Sequence, residues 1–152
     1  MLSLRILSFT LLFLPEIALS NYDPEKIKET ISNNQELFAV SDWQQGADKT
    51  SWIATSTQKW LSITVGQDRT EIASPFINAK QITAAKARCL SLAKTGLQLE
   101  SEEEHKKIMK LIKNASQHYR PKFLKKNNAR FEVAPKVVGA FVKLFCTVKS
   151  SS

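Results

Sequence analysis

Apolar residues recur along this chain with two periods, and the change from one to the other separates helical from extended stretches. Asp23-Pro24-Glu25 predicts a helix start, with a capping carboxylate, a proline suited to the first turn and an acid facing the dipole. Ile27 and Ile31 give that helix one apolar face, and Asn33-Asn34 ends it. From Glu36 to Phe76 the period becomes two. Leu37-Phe38-Ala39-Val40 predicts a strand, and Ser51-Trp52-Ile53-Ala54 a second. Leu61, Ile63 and Val65 alternate with Trp60, Ser62 and Thr64. Gly66-Gln67-Asp68 predicts a turn, and Thr70 to Ala73 the returning strand.

The helical period then resumes. Asn78 with Gln81 three residues later predicts a capping box, and Ile82, Ala85, Cys89 and Leu92 form a stripe that ends before Gly96. Ser101 with Glu104, and Glu102 and Glu103 in the first turn, predict another start. The stripe of this helix is Ile108, Leu111, Ile112, Ala115 and Tyr119, and Pro121 stops it. Lys122 to Asn128 reads as a basic linker. Arg130 to Val133 reads as a short strand ended by Pro135, and Val137 to Val148 as one closing strand in which Gly139 marks a bulge. Its faces are Val142, Leu144, Cys146 and Val148 against Phe141, Lys143, Phe145 and Thr147. This order predicts an α+β domain over residues 21–152, an antiparallel sheet with two main helices packed on one face.

The first twenty residues have a different pattern. Arg5 precedes the apolar run Ile6 to Leu14, Pro15 breaks it, and Ala18-Leu19-Ser20 places small residues where a signal peptidase reads. A cleaved signal peptide over residues 1–20 is expected, with the cut before Asn21. The run is short of the roughly 20 residues that span a bilayer, and no transmembrane span is expected after it. Periplasmic or secreted localisation follows. In such a compartment the two cysteines, Cys89 and Cys146, read as a disulfide.

Charge changes the picture further. The net charge is +8, and ten Lys and Arg lie between Lys106 and Lys136 with only Glu132 opposing them. Lys106, Lys107, Lys110 and Lys113 sit on the second long helix, Lys122, Lys125 and Lys126 in the linker, and Arg130 beyond it. Such a patch draws polyanions in a salt-dependent way. The plain alternative is a solvated helix surface. The expected partner is an anionic lipid or polysaccharide, or an acidic protein surface. Nucleic acid is disfavoured, because no aromatics interleave with the lysines as stacking platforms would. Trp43, Trp52 and Trp60 are candidate partner contacts, and Trp60 is the one set opposite the apolar face.

Catalytic signatures are lacking. His105 and His118 are thirteen residues apart on one helix, roughly 20 Å, too far to share a proton or metal. There is no phosphate loop, dinucleotide fingerprint or nucleophile elbow, and two sulfurs without further ligands make no metal site, so neither metal nor cofactor is expected. The leading expectation is a non-enzymatic exported protein that binds an anionic envelope component or acidic protein through a basic helix-loop surface. A second is a periplasmic inhibitor or immunity-type protein that blocks an exported enzyme through the loops around Trp43–Trp52 and Gln67–Arg69. A third is a small secreted hydrolase using loop carboxylates such as Asp42 with Asp48, or Asp68 with Glu71.

Overall fold

The computed structural model describes residues 22–151. The expected signal segment, residues 1–20, lies outside them. The described chain is mixed α+β, with four helices and one seven-stranded antiparallel sheet. The elements are α1 (Pro24–Ser32), α2 (Gln35–Phe38), β1 (Gln44–Gln45), β2 (Trp52–Thr55), β3 (Ser62–Val65), β4 (Arg69–Pro75), α3 (Ala79–Gly96), α4 (Glu102–His118), β5 (Lys122–Lys126), β6 (Ala129–Val138) and β7 (Phe141–Ser150). The strand order is β1-β2-β3-β4-β7-β6-β5. The chain thus climbs from one edge to β4, crosses to the far edge through α3 and α4, and returns to the middle as β7.

Local chemistry explains the helix starts. The Asp23 carboxylate accepts from the Lys26 amide, and both long helices open with full capping boxes, Asn78 with Gln81 and Ser101 with Glu104. α3 packs on β4, β6 and β7, and α4 on β5 and β6. One side of the sheet is buried beneath them: Ile63, Ile72, Cys146 and Val133 line up in register across four strands, with Phe131, Val148 and Val65 in the adjacent line. Ile27, Ile31, Leu92, Ile108 and Ile112 close the core from the helix side. Cys89 of α3 is bonded to Cys146 of β7, with Cα atoms 5.5 Å apart. The first described residue, Tyr22, is anchored to the sheet: its hydroxyl donates to the Gly66 carbonyl at 2.8 Å and shares a hydrogen bond with Thr70. Burial pushes this phenol up to about 12.

Several local expectations are corrected. Leu37 to Val40 is not a strand: Asn34 caps the Leu37 amide, a single helical turn buries Phe38, and Ala39 ends it in the left-handed region at φ 45°. Val40 is joined by an isolated bridge to Ser56, just past β2. Lys122 to Lys126 is not a linker but the edge strand β5, paired with β6 from Ala129 to Val133. Lysine is a usual way to protect an edge strand, so a basic composition misleads there. Pro135 does not end β6. It lies past the end of β5, where among the described residues β6 has a strand neighbour on the β7 side only, and there a missing amide costs little. The expected closing strand is two strands. Val138 pairs with Phe141, so Gly139 is the first residue of a two-residue hairpin turn, at φ 61°, rather than a bulge. Tyr119 is not on the buried stripe; it is the exposed left-handed cap of α4. Gly96 does not break α3 by its own conformation. A Cβ there would stand 2.6 Å from a Val148 methyl, so glycine lets the helix close onto β7.

Candidate functional site: a cationic uncovered sheet face

Every second residue of β4 to β7 points away from the helices. The register sets these residues in cross-strand rows. Lys125, Arg130, Lys149 and Arg69 are directly opposite one another on β5, β6, β7 and β4. At about 4.8 Å per strand this cationic row is roughly 14 Å long. The next row is Phe123, Glu132, Thr147 and Glu71, and the third is Ala134, Phe145 and Ala73. Lys136 and Lys143 face each other in the fourth, roughly 20 Å from the first along the strand. Like charges directly opposite each other oppose pairing, by up to about 1 kcal/mol for each pair.

The charges are only partly offset. Arg69 pairs with Glu71, which also accepts from the Thr147 hydroxyl at 3.4 Å. Arg130 donates to Glu132 at 3.1 Å and lies 4.1 Å over the Phe123 ring. Lys136 lies 4.7 Å over Phe145. Lys125, Lys143 and Lys149 have no carboxylate partner among the described residues. The small buried side chains Ala134 and Thr147 leave a hollow of about 120 Å³, ringed by Arg69, Lys136, Phe145 and Lys149 with Glu132 on one side. Its size suits a single phosphate or carboxylate group, and its cations can hold one electrostatically.

The basic residues singled out in the sequence do not form one surface. Lys125 and Arg130 belong to this open face. Lys122 and Lys126 alternate to the helix side of β5, and Lys106, Lys107, Lys110 and Lys113 are exposed on α4. Two of them are engaged: Lys107 with Glu103 at 2.8 Å, and Lys126 with Glu104 and the Gln98 carbonyl. Sequence reasoning missed Arg69, Lys136, Lys143 and Lys149 as members of a shared site. The alternation of Arg130, Glu132, Ala134 and Lys136, and of Lys143, Phe145, Thr147 and Lys149, was the available signal. It becomes a site only once the strands are in register.

The tryptophans separate. Trp43 is half-buried against the core and donates to the Ser32 hydroxyl at 2.8 Å. Trp52 lies beneath the Lys28 ammonium at 4.4 Å. Trp60 is exposed and stacks on Phe141 with ring centroids 6.0 Å apart. His105 sits 3.6 Å from the Glu102 carboxylate, near one end of α4, and His118 is exposed at the other. The Asp48 carboxylate caps its own turn, and hydrogen bonds from the Thr50 amide and from the Ser51 hydroxyl and amide hold its pKa below the ordinary value. Among the described residues no three His, Cys, Asp or Glu side chains are grouped to hold a metal ion.

On the opposite, helix side of the sheet, Glu104 ties α4 to β5. The Lys126 ammonium, and then the Ser101 and Glu100 amides, hold its carboxyl down to about 2. A depressed carboxyl stabilises the fold above its unfolded pKa, near 4.5, and that contribution is lost as pH falls toward 2. Thermal melts of the native protein are therefore expected to drop in midpoint across this window. Glu104→Gln is expected to lower the midpoint at neutral pH and to flatten the acid slope. An unchanged slope in the variant would show that the ion pair does not carry the effect.

No protein-family model, curated protein or solved structure matches this chain.

Proposed function

We propose that this protein is an exported, non-enzymatic binding protein that holds an anionic partner on its uncovered sheet face. The observation that carries the reading is the row Lys125, Arg130, Lys149 and Arg69, four cations placed side by side on four strands. Folding alone disfavours such a row, whereas a phosphate- or carboxylate-bearing ligand neutralises it. The disulfide supports an oxidising compartment. Among the described residues no helix is long and apolar enough to cross a membrane, which is compatible with the expected export. Tyr22, one residue past the expected signal cut, is already buried in the fold.

Heparin chromatography and polyphosphate titration test the reading. The native protein is expected to elute late and to lose affinity as salt rises. Lys125→Glu with Lys149→Glu, both exposed positions, is expected to weaken polyphosphate binding at least about tenfold, or 1.4 kcal/mol. Reversing Lys106, Lys110 and Lys113 on α4 is expected to matter much less. The opposite ranking would move the site to the helix, and salt-independent retention would remove the electrostatic mechanism.

A further inference from the structure

The β6–β7 hairpin outruns the rest of the sheet. β5 ends opposite Val133 and β4 opposite Lys143, and the Phe76 amide still donates to the Val142 carbonyl at 3.0 Å, so the last rung, Val138 with Phe141, belongs to β6 and β7 alone. The end of this hairpin is apolar on both faces. Val137 is 75% exposed on one side, and Val138 and Phe141 are 43% and 53% exposed on the other. Trp60, 44% exposed, stacks on Phe141, and Ile77 extends the patch. A hollow of about 240 Å³ lies among them, with Lys59 and Lys143 in its wall and no carboxylate lining it. Lys136, directly opposite Lys143, adds a third cation.

A hairpin turn in water is ordinarily polar, and a soluble protein gains nothing from a clustered apolar tip. A lipid interface accepts this arrangement. Valine and phenylalanine enter the acyl boundary, tryptophan sits at headgroup depth, and lysines reach back to the headgroups along their methylene stems. We propose that the β6–β7 tip, with Trp60, is a wedge that docks the protein onto the surface of an anionic lipid bilayer. This rests on the cationic sheet face for the choice of an anionic over a neutral surface. Charge complementarity favours lipid over an apolar protein groove, because three lysines ring the apolar patch. Each lysine near an anionic surface raises partition by about fivefold, and the three together by on the order of a hundredfold at low salt.

The test is co-sedimentation of the disulfide-bonded protein with vesicles of phosphatidylcholine alone or mixed with phosphatidylglycerol. Binding to the mixed vesicles is expected, with a blue shift of the Trp60 emission that is absent in Trp60→Phe. Val138→Asp and Phe141→Asp alter exposed positions and are expected to cut partition at least about tenfold, while Phe141→Leu retains it. Near-ultraviolet circular dichroism checks that each variant is folded. Failure of the native protein to sediment with the mixed vesicles overturns the proposal, as does undiminished binding by the folded Asp variants. A dimer in solution that the Asp variants dissociate would make the occupant a second copy and overturn it too. Asp variants that lose vesicles yet still bind polyphosphate leave the sheet-face reading intact. Native protein that docks on vesicles through the tip but ignores polyphosphate sinks only the sheet-face reading.

Discussion

Replacing Cys89 and Cys146 together by alanine is expected to lower the free energy of unfolding by about 4 kcal/mol. The bridge joins positions 57 residues apart, so its loss releases a long loop in the unfolded chain. It also joins the middle of α3 to β7, the strand between β4 and β6, where both sulfurs are fully buried. Urea unfolding measures the effect, and a melting point lower by on the order of 10–20 °C should accompany it. Protein reduced by a thiol separates the two contributions, since it keeps both sulfur atoms in the core and loses only the crosslink. A change of under about 1 kcal/mol in both forms would mean that packing alone holds α3 on the sheet, through contacts such as Gly96 against Val148.

Phe131→Ala is expected to cost about 3–5 kcal/mol, the range for truncating a fully buried aromatic side chain. Phe131 is completely buried, lies in register between Leu124 and Val148, and belongs to the same core cluster as Ile108 and Ile112 of α4. Its loss undermines β5 in particular, because among the described residues this edge strand has β6 as its only strand neighbour. The expected signature is a lower urea midpoint together with faster hydrogen exchange of the β5 amides. Because β5 carries Lys125, polyphosphate affinity should also fall, in parallel with β5 protection. A cost under about 1 kcal/mol would show that neighbouring side chains refill the space.

The long helices were legible in the sequence because their signals are local. Asn78 and Ser101 act on amides within one turn, and the spacing of Ala85, Cys89 and Leu92 reflects a period internal to the helix. The disulfide was legible for a related reason: Cys89 and Cys146 each lie on an apolar stripe, and those stripes meet in one core. Short apolar runs were not. Leu37 to Val40 fits a strand or one buried helical turn equally well by pattern, and the cap from Asn34 decides it. In the candidate site, Lys125 and Arg130 were recognised as basic, but they were grouped with the α4 lysines because these are near in sequence. A sheet separates the two sets. Trp60 was legible as the outward tryptophan, although its Phe141 partner, far along the chain, was not.

What the residues determined by themselves was set by near neighbours: the caps that open the long helices, the helical period, the faces of β3 and β7, and the excess of positive charge. Only the folded arrangement decided which charges stand together. Arg69 and Lys149 are eighty residues apart in the chain and opposite each other in the sheet, because β7 inserts between β4 and β6. That insertion is a matter of burying Cys146, Val148 and Leu144 beneath α3, and pattern within a single strand cannot specify which strands will flank it.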